Sequence, residues 1–165
     1  MKNKVLEEII TNKDKTKVFD KYNIIFIYML KDAFNNPLRT IYVDENSNLH
    51  LINNIGEEII SSTNTNELNN VLSKHEVDFE DGKKIQLPRV NVLDGYVNEV
   101  YFKVNNNWHN DSINNMYYYD GNDLDTNKHL SEVIILLDDV YEVLYKYNKQ
   151  IEEYFILCEK EEDTE

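Results

Sequence analysis

Residues 128–160 read KHLSEVIILLDDVYEVLYKYNKQIEEYFILCEK, and this stretch decides the fold. Residues that suit the buried face of a helix recur in it at alternating intervals of four and three positions. The spacing predicts one long C-terminal helix from about Lys128 to about Lys160. The residues in register are Leu130, Ile134, Leu137, Tyr141, Leu144, Asn148, Ile151, Phe155 and Cys158.

Two packing arrangements suit this helix. A coiled-coil homodimer would use the repeat as its seam, with Asn148 as the buried polar residue that sets the register. However, Val133, Val140 and Tyr147 widen the apolar arc beyond the width of a coiled-coil seam. We therefore expect the helix to pack across a β-sheet, and a homodimer through the exposed part of the helix stays an alternative.

The residues before this helix predict an antiparallel sheet of five or six strands. Apolar and polar residues alternate on both sides of Asp81-Gly82, and Asp-Gly is a preferred pair for a tight hairpin turn. Asp94-Gly95 repeats the pattern, and its second strand runs from Tyr96 to Val104. A polar loop at 45–48 separates two further strands, and residues 116–119 suit another.

The N-terminal part of the chain is predicted to contain helices. Lys4 to Asn12 has apolar residues at helical spacing, and residues 18–34 continue that spacing. The β-branched and aromatic run from Tyr22 to Leu30 suits a buried strand nearly as well. Asn64 and Glu67 have the pattern of a capping box, which predicts the start of a further short helix.

Together these elements predict the fold class α+β. The expected architecture is an antiparallel sheet of five or six strands, with an N-terminal helix or helices and one long C-terminal helix packed on it. Residues 1–158 are expected to form a single domain, and residues 159–165 an acidic tail that frays. At 165 residues the chain is long enough to bury a core without disulfides or a structural metal.

The charge of the chain restricts its partners. Seventeen Lys and Arg against 31 Asp and Glu give a formal charge of -14. This charge opposes direct binding to nucleic acid or to an anionic membrane surface, because the phosphates of both attract basic proteins. A protein partner with a basic surface suits the chain better, and we expect a nuclease or another nucleic-acid-binding effector.

Composition also indicates where the protein works. Asn occurs 24 times and Ala once, a skew typical of an AT-rich genome, such as that of a low-GC bacterium, its phage or a mobile element. The first residues lack the apolar stretch of a signal peptide, and the longest apolar run, Ile24 to Leu30, is too short to span a membrane. The single Cys158 forms no disulfide within the chain. We expect a cytoplasmic protein, in a bacterial cell or a phage-infected host.

The sequence contains none of the compact motifs of catalysis or cofactor binding. It has neither a Gly-x-Ser-x-Gly elbow nor a glycine-rich phosphate loop. Asp120, Asp123 and Asp125 form the densest carboxylate cluster, but their spacing does not match a calcium-binding loop. Turn formation and helix capping explain these aspartates better, so we expect no cofactor and no metal.

The histidines offer little more evidence for an enzyme. They stand at positions 50, 75, 109 and 129, without the spacing that places two metal ligands on one helix face, and we expect surface or loop histidines. The alternative is a metal-dependent hydrolase that uses residues 108–125, with His109, Asp111 and Asp120 as the first candidates and His129 as a further ligand.

Residues 105–120 have the composition of a recognition loop. One Trp and three Tyr lie beside Asn, Ser and Asp in this segment. Rigid aromatic rings provide contact area at a low cost in conformational entropy, and short polar side chains can adapt their hydrogen bonds to a partner. A Trp that closes the end of the core and tyrosines that pack on a sheet explain these residues equally well. Acids on the outer side of the C-terminal helix provide a second surface. The predicted partner-binding residues are Trp108, Asp111, Tyr117, Tyr118, Tyr119, Asp120, Asp123, Asp125, Asp138, Asp139 and Glu142.

These features predict a non-enzymatic acidic binding protein that inhibits a basic, nucleic-acid-handling protein. Phage or mobile-element anti-defence proteins, such as anti-CRISPRs, are often small and acidic and lack catalytic motifs. This chain resembles them in these general properties and shares no sequence motif with them. An immunity protein or antitoxin that neutralises a nuclease toxin is an alternative of the same class. The metal-dependent hydrolase is the alternative from a different class.

Overall fold

The computed structural model of the protein describes residues 3–32, 34–76, 83–86, 97–114 and 128–154. Five helices and seven strands lie in these ranges. The helices are α1 (Lys4–Thr11), α2 (Lys15–Lys21), α3 (Thr65–His75), α4 (Lys128–Tyr145) and α5 (Ile151–Tyr154). The strands are β1 (Ile24–Lys31), β2 (Pro37–Asp44), β3 (Asn48–Ile52), β4 (Glu58–Ser62), β5 (Lys83–Gln86), β6 (Val97–Val104) and β7 (Asn107–Asn114).

The strands form one sheet in the order β4-β3-β2-β1-β6-β7-β5. Every neighbouring pair is antiparallel except β5 and β7, which run parallel. Six strands are thus joined antiparallel, with N-terminal helices and a C-terminal helix beside them, so the predicted α+β class is confirmed. The predicted hairpin turns at 81–82 and 94–95 and the strand at 116–119 lie outside the described residues.

Strand β1 lies at the centre of the sheet, and all eight of its residues are buried. Phe26 and Tyr28 pack on the side covered by α3 and α4, while Ile27 and Met29 pack on the side covered by α1 and α2. Because both faces of the strand are apolar, its sequence shows no alternation and suited a helix as well as a strand. The helical interpretation is wrong for residues 24–31, and the buried strand is correct.

Short polar side chains cap the N-termini of the helices that cover the sheet. The side chains of Asn3 and Asp14 accept backbone N–H groups at the starts of α1 and α2. Asn64 does the same for α3, where its Oδ1 accepts the N–H of Glu67 at 3.1 Å. The helix start predicted at Asn64 is therefore present. The carboxylate of Glu67 binds Lys146 and Tyr147.

The C-terminal helix ends earlier than predicted. Helix α4 stops at Tyr145 and the short α5 follows, so the prediction of one uninterrupted helix is wrong. The side chain of Asn148 explains the break: its Oδ1 accepts the N–H of Gln150 at 2.9 Å, and its Nδ2 donates to Ser61 Oγ at 3.1 Å. A side chain that bonds the nearby backbone competes with the helix. Residues 155–165, which include the predicted tail, lie outside the described residues.

The inner side of α4 packs on the sheet. Ile134, Leu137, Leu144 and Ile151, which would line a coiled-coil seam, are buried in the chain's own core. The wide apolar arc of the helix therefore covers the sheet, as the second of the two packing arrangements predicts. None of the helices in the described ranges is long and apolar enough to cross a membrane.

Strands β6 and β7 form a hairpin with Asn105 and Asn106 at the centre of its turn. Both residues have positive φ, 51° and 66°, which is the geometry of the two-residue turns that match the twist of a hairpin. Asn adopts this backbone more readily than most residues. Residues 107–114 are thus strand β7, and the interpretation of the whole 105–120 segment as a loop is wrong for these residues.

Leu137→Ala tests the packing of α4 on the sheet. Because the substitution leaves a cavity under a fully buried helix face, we expect the free energy of unfolding to fall by about 2–4 kcal/mol. Ile135→Ala is the matched control, since Ile135 lies on the same helix and is 49% exposed; we expect a change within about 1 kcal/mol. Urea unfolding measures both values. Equal losses at the two positions would contradict the orientation of α4 described here.

Candidate functional site

The outward side of α4 carries the helix acids that the sequence predicts to bind a partner. Asp138 and Glu142 are exposed, and Asp139 is partly buried. Residues three and four positions apart are neighbours on a helix surface, so the three carboxylates lie side by side. We call Asp138, Asp139 and Glu142 the acidic face.

The packing of α4 holds the acidic face in place. Leu136, Leu137 and Val140 lie on the opposite side of the same turns and are at most 1% exposed. Because these side chains are fixed in the core, the helix does not turn its acids away from one another or into the protein. The acidic face is therefore a preformed feature of the fold.

The neighbouring acids affect the ionisation of Asp138. Burial, and then the neighbouring Asp139 and Glu142, raise the pKa of Asp138 above its ordinary value of 3.8. A raised pKa of a carboxyl group means that the folded protein disfavours its negative charge. In the described part of the chain the lysine ion pairs are made by other acids, namely Glu8, Asp14, Asp20, Glu67 and Glu99. Within the described ranges, neither Asp138 nor Glu142 forms an ion pair with a lysine.

Lys146 binds an acid on α3 and does not pair with Glu142 of the acidic face. It follows Glu142 by four residues, the spacing of an ordinary helical ion pair. Its Nζ instead lies 3.1 Å from Oε2 of Glu67 on α3, because α4 has already ended at Tyr145. The hydroxyl of Tyr147 donates to the other oxygen of Glu67 at 3.1 Å. The cation nearest to the acidic face in sequence is therefore bound to α3.

Asp139 differs from the other two acids, since it binds a buried histidine. Its Oδ2 lies 2.6 Å from Nε2 of His75, which is 5% exposed and belongs to the last turn of α3. The bond satisfies a polar group that would otherwise be buried alone, and it ties α3 to α4. Asp139 therefore has a structural role whether or not it also contacts a partner.

Aromatic and apolar side chains flank the acidic face. The rings of Tyr141 and Tyr145 stack with their centroids 5.5 Å apart. Ile135, one turn before the acids, is 49% exposed, and Tyr147 is 39% exposed. Such side chains supply the desolvated contact area that charged groups alone lack. The outer side of α4 thus combines charge with apolar area.

Trp108 lies on the other side of the sheet. Its Nε1 donates to Oδ1 of Asp20 at 3.0 Å, and its ring lies 5.2 Å from that of Phe19, centroid to centroid. The ammonium group of Lys103 lies 5.7 Å from the centroid of the indole. These contacts show that the ring closes the edge of the core under α2. The sequence had left open whether Trp108 closes the core or contacts a partner.

Asp111 is inside the protein. It lies on β7, opposite Val100 of β6, and is 1% exposed. A side chain with so little exposure does not meet a partner that docks on the folded surface, so we exclude Asp111 from the proposed contact surface. The remaining predicted residues lie outside the described part of the chain; they are Tyr117, Tyr118, Tyr119, Asp120, Asp123 and Asp125.

Sequence reasoning missed a set of histidine–carboxylate pairs. His50, His75 and His109, the histidines whose side chains the structure describes, lie on regular elements and are largely buried, so the expectation of surface or loop histidines is wrong for them. His109 Nε2 lies 3.0 Å from Oε2 of Glu76, as His75 lies beside Asp139. The partners in these two pairs are 64 and 33 positions apart in sequence, so periodicity carried no signal for them.

A further buried histidine, His50, binds two carboxylates. Its Nδ1 lies 2.6 Å from Glu58 Oε2, its Nε2 lies 2.9 Å from Asp44 Oδ2, and its ring stacks on Tyr42 at 4.0 Å. Burial opposes the ionisation of Asp44, but the hydrogen bonds from His50 and Asn48 outweigh it and hold the pKa of this carboxyl below its ordinary value. Every polar atom of the imidazole is thus used within the fold, which indicates a structural role.

The hydrolase alternative gains no support from the described residues. His109 is bound to Glu76, Asp111 is buried, Asp120 lies outside these residues, and the side chain of His129 is not described. Across the ranges that the structure describes, no group of three His, Cys, Asp or Glu side chains is arranged to hold a metal ion.

Two surface clefts lie away from the acidic face. One, of about 390 Å³, runs beside α3 and is lined by Asn69, Ser73 and the β6–β7 turn. The other, of about 430 Å³, lies between the start of α2 and Tyr101 of β6. Both are open to solvent, and neither includes a residue of the acidic face.

Comparison with known proteins finds no family model and no curated protein that matches this chain.

Two adjacent aspartates are expected to have opposite effects on stability at pH 7. Asp138→Asn removes a charge that the fold disfavours, so we expect the free energy of unfolding to rise. Asp139→Asn weakens the bond to buried His75, and we expect a loss of about 1–3 kcal/mol. Both variants change the net charge by the same amount, so each is the control for the other.

The pH dependence of Asp138→Asn follows from the direction of the pKa shift. Because folding raises the pKa of Asp138, its ionised form destabilises the folded protein above the raised pKa, and this effect disappears as the pH falls below 3.8. Urea unfolding at neutral and acid pH measures the difference between the variant and the parent. A variant that is less stable than the parent at pH 7 would contradict the repulsion described at the acidic face.

Proposed function

We propose that this protein is a non-enzymatic inhibitor that binds a basic, nucleic-acid-handling protein through the acidic face of α4. The observation that carries the proposal is the position of the carboxylates of Asp138 and Glu142, which are exposed beside Asp139 on the outward side of α4. The lysine ion pairs of the described residues are made by other acids. A fold that keeps like charges together loses stability there, and such arrangements are concentrated at functional sites. A positively charged partner would relieve the repulsion.

The charge of the whole chain supports the same kind of partner. A net charge of -14 attracts basic surfaces over several Ångströms and repels nucleic acid. Basic grooves that hold nucleic acid are suited to bind carboxylates in place of phosphates. The acidic face would provide part of such a mimic, and Ile135 with the neighbouring tyrosines would provide apolar contact.

The biological setting is proposed from composition. The many asparagines and the single alanine favour an AT-rich bacterial, phage or mobile-element genome, and we propose action in the cytoplasm of a bacterial cell. An anti-defence protein, of which anti-CRISPRs are one kind, and an immunity protein against a nuclease toxin would use the same surface. The identity of the inhibited protein distinguishes the two.

Inhibition of a panel of purified basic nucleases tests the proposal. We expect one of them to lose activity at near-equimolar amounts of this protein and to recover it at high salt, because screening weakens contacts between exposed charges. Inhibition that requires a large excess, or consumption of a small substrate by the protein alone with a divalent metal added, would contradict the proposal and favour the hydrolase.

Charge reversal locates the contact. Glu142→Lys removes a negative charge from the acidic face and adds a positive one, so we expect affinity for the inhibited protein to fall by about tenfold or more. Glu7→Lys is the matched control, since Glu7 is an exposed glutamate on α1, on the opposite face of the sheet. Isothermal titration calorimetry measures both affinities. Equal losses would show that only the net charge matters.

A further inference from the structure

Among the described strands, β4 forms one edge of the sheet and pairs with β3 alone. The five residues of β4 pair with β3 in an unbroken register from Glu58 to Ser62. Two apolar side chains are exposed on it, Ile60 at 58% and Ile59 at 37%. An edge of this kind is a template on which a further strand can form.

The hydrogen bonds at the two ends of the β3–β4 pair determine which backbone groups face outward. The N–H of Asn53 donates to the carbonyl of Glu57 at 3.0 Å, and the N–H of Thr63 donates to the carbonyl of Ser47 at 2.8 Å. Bonded and non-bonded residue pairs alternate along an antiparallel ladder. Counting inward from either end gives the same assignment for every residue of β4.

By this assignment Glu58, Ile60 and Ser62 form the non-bonded pairs with β3. Their N–H and C=O groups point away from the sheet, which leaves three donors and three acceptors in a row. The backbone contacts between different elements in the described part of the chain do not use these groups. The outer side of β4 is therefore ready to accept a complementary strand.

Protection against uncontrolled pairing differs between the two edges of the sheet. Natural edge strands are commonly protected by lysine, proline, a bulge or short length. Strand β5, at the other edge, has four residues and begins with Lys83 and Lys84. Strand β4 contains neither lysine nor proline, and its register with β3 has no bulge. The contrast indicates that β4 is kept open for pairing.

The charge of the residues around β4 favours a positively charged strand over a second copy of this chain. Residues 48–64 contain two glutamates and neither lysine nor arginine. The carboxylate of Glu58 is bound by Asn3 and His50 within the fold, whereas Glu57 is exposed. A second copy of the chain would bring like charges together along the edge and would carry a further -14. A positively charged segment meets opposite charge, and its apolar residues meet Ile59 and Ile60.

We infer that β4 binds an extended, basic and apolar segment of a partner protein, which adds a strand to the sheet. Main-chain bonds to Glu58, Ile60 and Ser62 would provide the affinity. The exposed side chains of Glu57, Ile59 and Ile60 would provide the preference for sequence. The inference shares with the proposed function only the sign of the partner's charge. The β4 edge and the acidic face are different surfaces and are tested separately.

The test uses a blocked peptide of alternating valine and lysine, titrated into the isotope-labelled full chain and followed by nuclear magnetic resonance. We expect the amide signals of Glu58, Ile60 and Ser62 to shift and their hydrogen exchange to slow. A peptide of the same sequence with methylated backbone nitrogens is the control, because it keeps the charge and the side chains but loses its donors. We expect it to bind at least about tenfold more weakly.

A pair of variants examines the same site from the protein side. Ile60→Pro removes an outward N–H that takes no part in the β3–β4 ladder, so the fold is retained and peptide affinity falls by about tenfold. Ile60→Ala, which keeps the N–H, is expected to lose less than Ile60→Pro.

Three results would overturn the inference. Equal binding of the methylated and unmethylated peptides would show electrostatic attraction without strand addition. Shifts confined to the acidic face, with β4 unchanged, would assign peptide binding to α4 and leave the proposed function standing. Sedimentation of the free protein as a dimer that Ile60→Pro dissociates would assign the edge to a second copy of the chain.

Discussion

The packing of α4 on the sheet is the constraint on which the rest of this structure depends. Leu136, Leu137 and Val140 are buried against strands whose other face is covered by α1 and α2. A helix fixed in this way has one outward side, and the positions of its acids follow from the positions of its apolar residues. The acidic face is thus a consequence of how the core is built.

The acids of this chain divide into two kinds. Some are neutralised within the fold: Asp139 binds His75, Glu76 binds His109, and two further carboxylates enclose a third histidine. These pairs satisfy polar groups where helices and sheet meet. Others, Asp138 and Glu142, face solvent beside like charges. Among the described residues, the paired lysines and the imidazoles bind other acids, and none of them binds Asp138 or Glu142 on the outer side of α4.

The sequence predicted what depends on local periodicity and missed what depends on distant contacts. The α+β class, the antiparallel sheet and the start of α3 at Asn64 followed from spacing and turn chemistry, and the acids of the acidic face could be placed on one side of a helix. The strand β1 was ambiguous because both of its faces are buried. The end of α4 depends on the bond between Asn148 and Ser61, and the role of Asp139 on His75. Both contacts join residues more than sixty positions apart.

The central claim is that α4 holds mutually repelling carboxylates ready for a cationic partner. A titration of the side-chain carboxyl carbon of Asp138, followed by nuclear magnetic resonance in the free protein, tests it most directly. The account predicts a pKa above 3.8 that falls when Glu142 is replaced by Gln. A pKa at or below 3.8 would mean that the charge of Asp138 is already balanced within the fold, and it would contradict the account.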